Sequence, residues 1–117
     1  MHLMNVIYVS DMKRSVAFYE SLGLRRRDGS PIDEWWNEFR IGDAVIALHW
    51  GGERPIPEPS KHLELHLQVS GEELERLYAF CTEQGHPNGG PISEMGFGRF
   101  FWITDPDGLW VQFNEQT

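Results

Sequence analysis

Between residues 62 and 70 the chain reads His62-Leu63-Glu64-Leu65-His66-Leu67-Gln68-Val69-Ser70, with a chemically capable side chain at every second position. Successive side chains on a strand point to opposite sides, so Glu64, His66 and Gln68 share one face and Leu63, Leu65, Leu67 and Val69 the other. A carboxylate beside an imidazole can act as base and acid, which makes Glu64 and His66 the candidate catalytic residues. The same pair can hold a ligand's cation and its hydrogen-bond donor. A solvated strand face or a mutual ion pair accounts for the two residues equally well. No phosphate-cradling glycine loop and no serine or cysteine nucleophile arrangement accompanies them.

The strand that carries these groups is the second copy of an earlier one. Shifted by 60 positions, His2, Leu3, Val9 and Ser10 match His62, Leu63, Val69 and Ser70. Shifted by 62, Ala17, Phe18, Gly23, Phe39, Ile41 and Asp43 match Ala79, Phe80, Gly85, Phe101, Ile103 and Asp105. The chain is one unit written twice, and each copy is expected to run strand, helix, strand, strand, strand.

In the first copy, residues 4 to 9 form a strand and Ser10-Asp11 can cap a helix from Met12 to Leu22. Its apolar residues Met12, Val16, Phe18, Tyr19 and Leu22 recur at spacings of three and four, and Gly23 stops it. Leu24 to Asp28, about Trp35 to Ile41, and Ala44 to Trp50 are the following strands. In the second copy, a helix over Gly71 to Gln84 places Leu74, Leu77, Tyr78 and Cys81 on one side, and Gly85 ends it. Strands over Arg99 to Thr104 and Leu109 to Asn114 follow, joined by the tight turn Asp105-Pro106-Asp107-Gly108. Between the copies, Pro55, Pro57 and Pro59 make residues 54–61 an extended, stiff linker of about 3.1 Å per residue. The expected organisation is one domain, 1–117, with module one at 1–53 and module two at 62–117. Two helices are too few to cover both sides of the strands, so one face of each sheet is left open, and two such sheets side by side would enclose a cleft.

Composition sets the partner class. Ten basic against eighteen acidic residues give a net charge of −8, which repels a phosphate backbone and suits a small partner, a cation included, over nucleic acid. With 117 residues and a 40% hydrophobic fraction the chain is long and apolar enough to bury a core. The lone Cys81 fits a reducing compartment and, inside an apolar helical pattern, a buried structural thiol. No apolar run approaches the ~20 residues of a membrane helix. With no basic-then-apolar leader at the N-terminus, a cytoplasmic location without membrane partners is expected.

Two stretches resemble a known family. Val9-Ser10-Asp11-Met12-Lys13-Arg14-Ser15-Val16-Ala17-Phe18-Tyr19-Glu20-Ser21-Leu22-Gly23-Leu24 is similar to the opening of the glyoxalase/bleomycin resistance/dioxygenase superfamily, also called vicinal oxygen chelate. Phe101-Trp102-Ile103-Thr104-Asp105-Pro106-Asp107-Gly108-Leu109-Trp110-Val111-Gln112-Phe113 resembles its closing hairpin. The resemblance implies an α+β fold of two βαβββ modules, mostly antiparallel, forming a U-shaped pocket with one helix per module outside, commonly completed in a homodimer. Metal-using members place one ligand on the first and last strand of each module, and those positions fall here on Met4, Ala47, Glu64 and Gln112. Alanine has no donor, and a thioether suits soft metals rather than the divalent ions such enzymes use. The expectation is therefore no cofactor; the alternative is one divalent metal ion held by Glu64 and Gln112. His49 and His66 lie two residues along their strands, roughly 7 Å from the ligand positions, and would need a different geometry.

Alternation predicts the pocket face: Met4, Val6 and Tyr8; Val45, Ala47 and His49; Glu64, His66 and Gln68; Trp110, Gln112 and Asn114. Arg40 and Trp102 join it, while Phe39, Ile41, Phe101 and Ile103 face the helices. The expected ligand-binding residues are Tyr8, Trp36, Arg40, His49, Glu64, His66, Gln68, Trp102, Trp110 and Gln112, aromatic walls with a few polar groups as small-molecule sites have. Trp35-Trp36 beside Asp33, Glu34 and Glu38 suit a cationic or flat aromatic ligand, or equally a dimer contact. The run Arg25 to Arg27 reads as a strand edge kept soluble by charge. Gly89-Gly90 and Met95 to Gly98 flank a segment that could serve as a lid.

The function expected on these grounds is sequestration of a small aromatic or cationic compound in a metal-free cleft. The alternatives are a divalent-metal enzyme of the superfamily, such as a lactoylglutathione-lyase-like lyase, isomerase, thiol transferase or dioxygenase, and a protein-association module with a vestigial cleft.

Overall fold

The computed structural model describes residues 4–50, 52, 64–96 and 98–115. The linker expected at 54–61 lies outside the described residues. The chain divides into two compact units, one within 1–58 and one within 59–117.

The first unit holds β1 (Met4–Val9), α1 (Met12–Ser21), β2 (Arg25–Arg26), β3 (Trp36–Ile41) and β4 (Ala44–Trp50), its sheet ordered β1-β4-β3-β2. β1 runs parallel to β4 and the other neighbours are antiparallel. α1 begins where Asp11, in an extended conformation, accepts the Arg14 amide on its carboxylate at 3.2 Å, which satisfies one of the orphan amides of a helix start. Its Met12, Val16, Phe18 and Tyr19 are buried, as are Ile7, Val9, Phe39, Ile46 and Leu48 of the strands. That set is the module's core and occupies one side of the sheet.

The second unit repeats the scheme with β5 (Leu65–Val69), α2 (Gly71–Gln84), β6 (Ser93–Met95), β7 (Gly98–Thr104) and β8 (Trp110–Glu115), ordered β5-β8-β7-β6. β5 and β8 are parallel, the remaining pairs antiparallel. Ser70 caps α2 by accepting the Glu73 amide at 3.1 Å, and Glu72 and Glu73 place negative charge at the helix start, where its dipole favours it. Gly85 ends α2 in the left-handed conformation, φ 71°, returning its amide to the last turn. Leu74, Leu77 and Cys81 pack with Phe101, Ile103, Val111 and Phe113, all buried. The two helices and two mixed four-stranded sheets are the α+β pair of βαβββ modules that the repeat implied. No helix among the described residues is long and apolar enough to cross a membrane.

Three expectations need correction. The strand read over Leu24 to Asp28 is only two residues long, because Asp28 turns back to accept the Ser30 amide at 3.0 Å and ends the pairing. β3 starts at Trp36, not Trp35, since the Asp33 carboxylate holds both the Trp35 and Trp36 amides in a turn at 2.7 and 3.0 Å. The segment read as a lid is tied to the sheet: Ser93 to Met95 pair with Phe100 to Gly98, and Thr104 donates its amide to the Pro87 carbonyl at 3.0 Å.

Candidate functional site

Strand register decides which side chains share a face. In the second sheet His66 is paired with Gln112, which is paired with Trp102; Gln68 is paired with Asn114, and Asn114 with Phe100; Trp110 is paired with Thr104. These residues therefore form the face turned away from α2, whose own side takes Leu65, Leu67, Phe101, Ile103, Val111 and Phe113. The predicted group His66, Gln68, Trp102, Trp110 and Gln112 stands together on the open face, and Glu64, just before β5, joins it by bonding to His66.

The polar part of this face is one continuous chain. Gln112 Nε2 donates to Asn114 Oδ1 at 2.8 Å, Asn114 Nδ2 donates to His66 Nδ1 at 3.0 Å, and His66 Nε2 donates to Glu64 Oε1 at 2.7 Å. With Nδ1 accepting, the His66 proton is placed on Nε2. Donors all run in one direction, so the two ends of the chain, Gln112 Oε1 and Glu64 Oε2, are acceptors. Gln112 is buried to 7% exposure at the sheet's centre, whereas His66 and Gln68 are exposed. The apolar part is a pair of indoles: Trp102 and Trp110 stack with ring centroids 3.9 Å apart and planes 30° apart. Trp110 remains 36% exposed. Aromatic surface next to directed acceptors is the composition of a small-molecule site, and the chain shows Glu64 and His66 engaged with each other.

In the first sheet Tyr8 is paired with His49 and His49 with Trp36, while Val6, Ala47 and Glu38 form the next row and Met4, Val45 and Arg40 the one beyond. Tyr8, Trp36, Arg40 and His49 thus share the face opposite α1. His49 lies 5.1 Å from the Tyr8 ring and 5.4 Å from the Trp36 ring. Met4, Val6 and Tyr8 are exposed.

Two of the three carboxylates expected to await a cation beside Trp36, Glu38 and Asp33, are occupied. Glu38 accepts the Trp36 indole N–H at 2.8 Å and the Arg27 guanidinium at 2.8 Å, and these bonds, the indole's first, hold its carboxyl below the usual range. Asp33 is spent on the turn amides. Trp35 does not accompany Trp36 but packs on Trp50 with centroids 4.8 Å apart. The basic run at 25–27 is likewise a charged strand edge, with Arg26 near Glu20 at 3.7 Å and Arg27 on Glu38.

Three residues matter more than their types suggested. Asn37, 6% exposed on the helix side, donates to the Asp33 carbonyl at 2.8 Å and accepts the Asp33 amide, locking the turn that aims Trp36. Asn114 is the link without which Gln112 and His66 do not communicate. Gly89 leaves the space that the Trp102 indole fills. Alternation put Asn114 on the pocket face, and the Asp33 turn had its own signal, an Asp three residues before the start of β3; nothing in the sequence tied Gly89 to Trp102.

The positions at which the family resemblance expects metal ligands can be tested on their chemistry. Met4 offers only a thioether and fully buried Ala47 no donor at all. Gln112 has committed its amide to Asn114 and Glu64 one oxygen to His66. Among the described residues no group of three or more His, Cys, Asp or Glu is placed to hold a metal ion. Of the four positions only Gln112 Oε1 and Glu64 Oε2 remain as oxygen donors, fewer than a protein site for a divalent ion supplies.

The model of the glyoxalase/bleomycin resistance protein/dioxygenase superfamily matches residues 2–113. The phenazine antibiotic resistance protein EhpR of Enterobacter agglomerans is 31% identical over 110 residues, covering 90% of this chain and 84% of that protein. A glyoxalase/dioxygenase from Nostoc punctiforme superposes with a TM-score of 0.80 at 18% identity, over 97% of this chain and 89% of that one. The fosfomycin resistance protein FosX from Mesorhizobium loti gives 0.73 at 20% identity, over 100% and 91%. At such identities the two structures speak to the fold alone.

Proposed function

The chain belongs to the glyoxalase/bleomycin resistance protein/dioxygenase superfamily, and on that premise we propose that it binds and sequesters a flat aromatic compound, cationic or rich in hydrogen-bond donors, without a metal ion. The observation that carries this reading is the open face of the second sheet, where a stacked indole pair adjoins a hydrogen-bonded chain with acceptors at both ends. A planar ligand gains stacking from the exposed Trp110, while its edge donors meet Gln112 and Glu64. The net charge of −8 favours a cation's approach. The likeness to a phenazine resistance protein supports a flat, polycyclic ligand and a protective role. The donor-poor positions Met4 and Ala47 support a metal-free mode.

Sequestration needs no bond making: the protein lowers the free concentration of the compound by mass action, and stacking plus directed hydrogen bonds supply the affinity. Calorimetric titration with proflavine, a flat cation bearing amino donors, with neutral phenazine, and with the non-aromatic fosfomycin tests the reading. Saturable binding of the planar probes, proflavine tighter, with none of fosfomycin, is expected. Binding of fosfomycin alone, or of none of the three, contradicts it.

A further inference from the structure

Trp102 owes its place to a residue with no side chain. The loop after α2 runs along β7: Gly89 donates its amide to the Trp102 carbonyl at 3.4 Å, and Asn88 bridges to Ile103. Gly89 is therefore the cross-strand neighbour of Trp102. A Cβ on Gly89 would come closer to Trp102 Cε2, Nε1 and Cζ2 than any real Cβ approaches a heavy atom. The ring occupies the room that a side chain at 89 would need. Gly89 is not among the glycines with positive φ, so backbone conformation does not call for glycine here. Its neighbour Gly90, at φ 117°, has such a reason, and Gly89 has only the ring. An aromatic side chain laid over a cross-strand glycine is a known way of fixing an edge position.

The same ring stacks on Trp110 at 3.9 Å. Trp102 is thus contacted by Gly89 along its Nε1–Cζ2 edge and by Trp110 across its face, and neither ring need be ordered when a ligand arrives. Ordering in advance removes part of the entropy that binding otherwise costs.

We propose that Gly89 is a positioning residue for ligand binding: the space it leaves seats Trp102 against Trp110, and the seated pair is the stacking surface for a planar polycyclic aromatic ligand. This rests on the ligand-binding reading given above and adds which residue sets the surface and which ligand shape it takes. A methyl group at 89 displaces the indole, and Trp110 then faces the ligand without its partner.

The test compares Gly89→Ala with Gly29→Ala in the full chain, since Gly29 has open space around its Cβ position and no positive φ. Two close indoles give a paired, exciton-coupled band in the circular dichroism spectrum; Trp35 and Trp50, with centroids 4.8 Å apart, contribute one of their own, so the band of Trp102 and Trp110 is read as the part that Trp102→Leu removes. Gly89→Ala is expected to lose that band and to bind proflavine about five- to tenfold more weakly, while Gly29→Ala keeps both. Trp102→Leu loses the same affinity, and Gly89→Ala added to Trp102→Leu weakens binding no further, because no indole remains to displace. An intact band with unchanged affinity in Gly89→Ala overturns the proposal and leaves the ligand reading standing. A further loss in the double variant equal to that of Gly89→Ala alone also overturns it. No proflavine binding by the unaltered chain overturns the ligand reading, and the proposal with it.

Discussion

Asn114 and His66 stand on neighbouring parallel strands with Asn114 Nδ2 3.0 Å from His66 Nδ1, and that contact is what makes a chain of four side chains out of two separate pairs. Asn114→Leu breaks it in both directions, leaving His66 Nδ1 without its donor and Gln112 Nε2 without its acceptor. Each lost net hydrogen bond is worth about 1 kcal/mol, so urea denaturation should show a loss of about 1 to 2 kcal/mol. Proflavine, which relies on oriented acceptors, should lose more affinity in this variant than phenazine does.

Arg99 ties the end of β8 to α2, with its guanidinium 2.9 Å from Glu115 and 2.6 Å from Glu75. The bond to Arg99 holds the Glu115 carboxyl below its usual range. A depressed carboxylate stabilises the fold above its ordinary titration range, and that contribution disappears as pH falls through the folded value. Arg99→Gln should therefore lower the urea midpoint at about pH 7, and the gap to the unaltered chain should be smaller at about pH 3. An equal gap at both pH values would assign Arg99 a packing role.

The Cys81 thiol is fully buried, and burial pushes it up to about 11 from 9.0. The folded chain keeps the proton that the unfolded chain releases, so stability falls as pH rises from 9.0 to about 11. At about pH 8 a disulfide reagent should react slowly with the native chain and at once with the chain unfolded in urea. Immediate reaction of the native chain would contradict the burial.

Phe113 is 1% exposed and stacks on Phe101 with centroids 5.0 Å apart, between the open face and α2. Phe113→Ala leaves a cavity there and should cost about 3 to 5 kcal/mol. Thermal unfolding measures it, and a shift within error of the unaltered chain would show that the second module does not rest on this pair.

The strands carrying strict alternation were legible to within a residue, because period two leaves no choice once one face is oily. β1, β4 and α2 match their expected limits, and the open-face membership of Glu64, His66, Trp102, Trp110 and Gln112 follows from the same rule. What sequence could not carry is contact between residues distant in the chain. Nothing in the types of Asn114 and His66, 48 positions apart, announces a bond. The commitment of Glu38 to Trp36 and Arg27 was invisible for the same reason, and it removed a carboxylate that composition alone offered to a cation. The repeat called for a strand where β6 lies but did not locate it, because Ser93-Glu94-Met95 has no apolar alternation; it is held by pairing with β7.

Metal-free sequestration is tested most directly by equilibrium dialysis of proflavine against the full chain stripped with EDTA, with the compound then recovered and weighed by mass spectrometry. The prediction is saturable retention near one compound per chain at most, unchanged by adding zinc, nickel or manganese, with proflavine recovered intact. Retention that appears only after a divalent ion is restored, or recovery of an altered compound, would contradict it.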